Sequence, residues 1–166
     1  MKLRLINLII SISFFFIACS RQDTNNNNNS VTEVYAVGYA DIRNTPQFSN
    51  IIPRVWKDGI VKSFLTSGIK NAYASSIFVS DGDIYIAGGE PFSTGRNIVK
   101  VWKNGIATNL SDGSKYAEVY SVFVTGTDVY VAGEEQALNG KWIAKVWKNG
   151  TPINITDGTK NASANS

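Results

Sequence analysis

Histidine is absent from this chain, and cysteine and methionine occur once each. Without histidine the chain lacks the commonest general base and the commonest metal ligand. Ser-His-Asp and Cys-His nucleophilic machinery are excluded outright. A single cysteine permits no intrachain disulfide and no cysteine metal site. No metal or other cofactor is therefore expected. Proline is also scarce, with 4 residues against 14 glycines. Combined with 11% aromatic residues, that balance favours strands and tight turns over long helices. A dense basic patch is missing too. The formal charge is +3, but without Lys2 and Arg4 the 16 basic residues fall to 14, against 13 acidic. The remaining lysines are spread singly along the chain. Non-specific nucleic-acid binding needs clustered phosphate contacts, so nucleic acid is not an expected partner.

What is present begins at the N-terminus. Lys2 and Arg4 precede an apolar run from Leu5 to Ala18, broken only by Asn7, Ser11 and Ser13. A membrane-spanning helix needs about 20 residues, so this run is short for one. It has the length of a signal-peptide core. The run ends Phe16-Ile17-Ala18-Cys19. This resembles a bacterial lipobox, in the loose form of Bacteroidetes-type lipoproteins, with Phe16 where leucine is usual. The resemblance implies removal of residues 1–18, a diacylglyceryl group on Cys19, and export to the cell envelope, at the outer membrane or cell surface. The membrane would then be a partner through the lipid alone. After Cys19 come polar residues and the run Asn25 to Asn29. Residues 19–30 contain too little apolar surface to offset the entropy of ordering and read as a flexible tether.

The remainder, residues 31–166, repeats itself. Val-Trp-Lys recurs with Trp56, Trp102 and Trp147, at spacings of 46 and 45. Each is followed by a turn pair: Asp58-Gly59, Asn104-Gly105 and Asn149-Gly150. Upstream stand VYAVG, IYIAG and VYVAG; downstream stand Thr66-Ser67-Gly68, Ser111-Asp112-Gly113 and Thr156-Asp157-Gly158. The units run about 31–68, 69–113 and 114–158, followed by a stub over 159–166.

Each unit reads as four short antiparallel strands, a to d. Strand a covers Ala74 to Val79 or Val119 to Val124, and strand b covers Ile84 to Gly88 or Val129 to Gly133. Strand c surrounds the Val-Trp-Lys motif, and strand d follows the Asn-Gly or Asp-Gly pair. Those pairs suit type I′ turns, which need positive φ at both central residues. Strand a is missing from the first unit, where the Asn run stands. Alternation puts Ile84 and Ile86 on one face and Tyr85 and Ala87 on the other, with Trp102 opposed to Val99 and Val101. A sheet apolar on both faces asks to be stacked between like sheets. The units resemble the blade repeats of secreted bacterial β-propellers, which read VYVAG…VWKNG…LTDG…SIFVSG. The resemblance implies an all-β fold, here a partial propeller of about three blades. Propellers close with four to eight blades, so a homodimer or further blades are expected partners.

Few residues stand out as chemistry. The recurring Trp56, Trp102 and Trp147 are expected to pack between units, and Gly59, Gly105 and Gly150 to serve turns. Asp81, Asp83, Asp112, Asp128 and Asp157 are expected to shape turns. The b–c loops differ most between units, and variable loops on a rigid scaffold are where specificity resides. They supply the candidate ligand contacts Glu90, Arg96, Glu134, Glu135, Lys141 and Trp142. The expected function is a non-catalytic binding or adhesion module for an extracellular protein or glycan. Two alternatives stand beside it: a truncated or split fragment of a longer propeller protein with no independent function, or a glycan-active propeller enzyme, which would need convergent ionisable groups.

Overall fold

The computed structural model describes residues 17–23, 31–41, 51–62, 71–93 and 95–166. The expected signal segment through residue 16, the Asn25 to Asn29 run, residues 42–50 of the first b–c loop and Thr66-Ser67-Gly68 lie outside the described residues. Among the described residues there is no helix. Twelve strands among the described residues form three four-stranded antiparallel sheets, each a meander. The first holds β1 (Ile17–Asp23), β2 (Val31–Asp41), β3 (Ile51–Lys57) and β4 (Ile60–Lys62). The second holds β5 (Tyr73–Ser80), β6 (Asp83–Pro91), β7 (Asn97–Lys103) and β8 (Ile106–Asn109). The third holds β9 (Ala117–Thr125), β10 (Asp128–Gln136), β11 (Trp142–Lys148) and β12 (Thr151–Asn154).

The turns have the predicted geometry. Asp58, Asn104 and Asn149 take φ of 51°, 50° and 50°, and their glycines 76°, 84° and 84°. The same residues also do a second job. The backbone N–H of Val34, Ile84 and Val129 donates to Oδ1 of Asp58, Asn104 and Asn149 at 2.9, 2.9 and 2.8 Å. One side chain therefore ties the c–d turn to the start of strand b in every sheet.

The middle sheet is covered on both faces, as the alternation predicts. Ile77, Val79, Ile84, Ile86 and Trp102 pack with Tyr35, Val37 and Val55 of the first sheet. Tyr85, Ala87, Val99 and Val101 pack with Val122, Val124, Val131 and Trp147 of the third. Each joint is led by one first strand: β5 touches β1, β2 and β3, and β9 touches β5, β6 and β7. The last strands β4, β8 and β12 are exposed throughout. The sheets thus meet along their first strands, with their last strands in solvent.

Two features depart from the sequence reading. The first sheet does have an outer strand beside β2: β1 pairs Ile17 with Val37 through to Asp23 with Val31. Cys19 to Asp23, expected as the start of a tether, is thus paired strand. Ser20-Arg21-Gln22-Asp23 shows no apolar alternation, so period gave no sign of it; what places it is the free backbone edge of β2. The second feature is the glycine of VYVAG. A Cβ at Gly88 or Gly133 would sit 2.1 Å from the carbonyl oxygen of Tyr73 or Glu118. The register slips at these places, between Ala74 and Ser76 and between Ala132 and Gly133. Glycine is required because strand a bulges onto strand b there.

Candidate functional site

The meander puts the a–b and c–d turns at one end of each sheet, and the b–c loops and d–a connections at the other. The turn end carries one recurring cluster. Lys103 bonds Asp83 at 2.8 Å, Lys148 bonds Asp128 at 2.8 Å, and Lys57 bonds Glu33 at 2.5 Å. The same lysines lie 5.3, 5.4 and 5.3 Å from the rings of Tyr85, Tyr130 and Tyr35. Asn104 and Asn149 donate through Nδ2 to Asp83 and Asp128 at 2.7 Å. Hydrogen bonds from Lys103 and Asn104 hold the Asp83 carboxyl below its usual range, and Lys148 and Asn149 do the same to Asp128. Asp83 and Asp128 are therefore fastening groups with lysine partners, a pairing that their turn context alone did not disclose. Asp112 and Asp157 behave as read: each accepts a backbone N–H two residues on, from Ser114 at 2.8 Å and Thr159 at 2.9 Å.

The loop end holds the candidate contacts, and the structure divides them. Glu90 forms an ion pair with Lys100 on the face turned to the first sheet. Glu135 sits at the matching position one sheet on. Its Oε1 receives Lys145 at 2.8 Å and Lys115 at 3.2 Å. Burial pushes the Glu135 carboxyl up, but hydrogen bonds from Lys145 and then Lys115 outweigh it and hold the group below its ordinary value. Lys145 is itself only 7% exposed and lies 5.9 Å from the Trp147 ring. Glu134 points to the opposite face and accepts from the Tyr120 hydroxyl at 2.8 Å. Arg96 stacks 5.0 Å from the Tyr116 ring, clamping the second sheet's loop to the entry of the third. Lys141 is exposed, and its backbone N–H donates to Asn139 at 3.0 Å. Trp142 is half-buried; its backbone N–H donates to Asn161 Oδ1 at 3.1 Å, and its backbone carbonyl accepts from the Ala162 N–H at 3.0 Å.

Only Glu135 among these six lines the groove found at this end. The groove encloses about 300 Å³ between the second and third sheets, lined by Asn109, Leu110, Ser111, Asp112, Ser114, Lys115 and Glu135. Its other lining residues come from the d–a connection, whose recurring Ser-Asp-Gly reads as a turn and hides a second role. Spatial approach of that turn to Glu135 is a product of sheet stacking, which residue spacing does not report. The groove offers amide, hydroxyl, ammonium and carboxylate groups for hydrogen bonding. Both of its carboxyls are held below their usual values, Asp112 by bonds from Ser114. Among the described residues no group of three Asp, Glu, Cys or His side chains is placed to hold a metal. No protein-family model matches the chain, and comparison with curated proteins and with solved structures gives no match.

Proposed function

We propose that this chain is a lipid-anchored module of the bacterial cell envelope that binds an extracellular protein or glycan without transforming it, on a propeller-like array of sheets. The observation that carries the binding reading is the polar groove between the second and third sheets. It lies at the end where the units differ most in sequence, and it joins hydrogen-bonding groups to carboxyls kept ionised. Such a lining suits recognition by several hydrogen bonds, as a sugar or a peptide backbone requires. The anchor rests on the order of basic residues, apolar run and Cys19. Lipid on Cys19 would place the acyl chains at the head of β1, so that the first sheet stands close to the membrane.

Two measurements test this. Mass spectrometry of the N-terminal peptide of the purified protein is expected to show diacylated Cys19 and no residues 1–18; an intact Met1 or a bare Cys19 thiol defeats the anchor. Titration of the full chain against oligosaccharide and peptide panels is expected to yield a ligand whose binding is lost in Lys115→Ala and Asn109→Ala. Binding that survives both changes moves the site elsewhere. A longer array of the same units is a second reading, favoured by residues 159–166, which match 114–121 in unit order and bond to the third sheet through Ala162 and Ala164.

A further inference from the structure

The two outer faces of the stack carry the residues of an inner joint. In the middle of the stack Trp102 is 3% exposed, Ile84 9% and Leu110 7%. The matching residue to Trp102 in the first sheet, Trp56, is only half-buried, and the match to Ile84, Val34, is 44% exposed. The match to Leu110 in the third sheet, Ile155, is 58% exposed. Register assigns these to opposite sides of the repeat. Trp56 pairs with Ala36 as Trp102 pairs with Ile86, so Trp56 lies on the face that in later sheets is pressed into the preceding sheet. Ile155, like Leu110, belongs to the face that receives the next sheet. The first sheet thus offers the inserting side of a joint, and the third offers the receiving side.

Residues 162–166 match 117–121, the first residues of β9. They lie on the third sheet, where Ala164 donates to the Gly133 carbonyl at 3.3 Å and Ala162 to the Trp142 carbonyl at 3.0 Å.

Charge favours the same joint. Inside the chain, Asp112 and Glu135 line one groove, and Lys115 and Lys145 offset them. Moved on by one unit, Asp112 becomes Asp157, Lys145 becomes Arg54 and Glu135 becomes Ala40. The second carboxylate is gone while Lys115 becomes Lys160, so two cations are matched to one carboxylate.

We propose that the free face of the third sheet is the docking site for the first sheet of a second copy of this chain. Two copies joined at both ends close into a ring of six sheets related by a two-fold axis. The sheets converge on their first strands, which is the sense of curvature a ring needs, and six lies within the usual range of closed propellers. This proposal does not depend on the binding reading or on the anchor.

Sedimentation equilibrium of the full chain in density-matched detergent is the test. A dimer is expected, with no larger species. Val34→Asp and Ile155→Asp each place a carboxylate in the joint at a site exposed within one chain. Each is expected to weaken the dimer at least about 100-fold while the unfolding transition is kept, because an unpaired charge is costly in an apolar contact. Ile106→Asp, at a 76% exposed site on β8, is expected to leave the dimer intact. Mixing the Val34→Asp and Ile155→Asp proteins restores one intact joint of the two, so partial dimer is expected to return. A monomeric wild type overturns the proposal. So does a dimer sensitive to only one of the two changes, which would mean like faces meeting. Open-ended oligomers overturn the closed ring.

Discussion

The second sheet and the first are written in the same repeat, and their surroundings differ. Trp102 is sealed between two sheets, whereas Trp56 is only half-buried. Ile84 is buried and Val34 is nearly half exposed. The residue types hold while the burial changes. What sets the amino acid at each position is therefore its place in the unit, and the unit is written for a neighbour on both faces. The end sheets inherit that sequence without the cover.

The largest expected effect tests this directly. Trp147→Ala, at a fully buried site, is expected to cost ~3–5 kcal/mol in denaturant titration, as the loss of a large core aromatic does. Trp56→Ala is expected to cost less than half as much at a dilution where chains are single. Equal losses would break the comparison. Next, Gly133→Ala forces a methyl against the Glu118 carbonyl and is expected to cost about 1–3 kcal/mol, as overpacking does.

The ion pairs rank below the core. Glu135→Gln leaves buried Lys145 without its carboxylate and is expected to cost about 1–3 kcal/mol. The first sheet has Ala40 at that position and depends on no such pair. The same carboxyl gives a pH dependence of fixed sign. Its folded pKa lies below the unfolded value, so its contribution is complete above roughly pH 4.5 and is lost as pH falls through the folded value. Unfolding midpoints measured from pH 7 to pH 3 are expected to fall less in Glu135→Gln than in the wild type. The smallest effect is at the loop tip: Lys141→Ala is expected to change stability by no more than about 0.5 kcal/mol.

Periodicity carried most of the fold. Two-residue alternation assigned Ile84, Ile86 and Trp102 to one face and Tyr85, Ala87, Val99 and Val101 to the other, and both cores are built on that division. The Asn-Gly and Asp-Gly pairs located the c–d turns because positive φ has few residues that tolerate it. Strand β1 was illegible because its placement comes from backbone pairing with β2, to which polar side chains contribute no pattern. The groove was legible only through Glu135. Its remaining lining comes from a turn whose sequence has a sufficient local explanation, and the approach of that turn to β10 depends on how two sheets stack. The lysine partners of Asp83 and Asp128 were hidden for the same reason: they lie 20 residues away along the chain and become neighbours only through the b–c register.

The meander has a consequence for the order in which the molecule forms. Among the described strands every hydrogen-bonded neighbour is the next strand along the chain, so each of these sheets closes its ladder locally, without waiting for a distant segment. Local pairing of this kind lowers the entropy of loop closure and speeds folding. A chain delivered from its N-terminus can therefore complete one sheet before the next is available. Trp102 and Trp147 lie late in their units and pack on the preceding sheet, so in that order each would seal the layer before it.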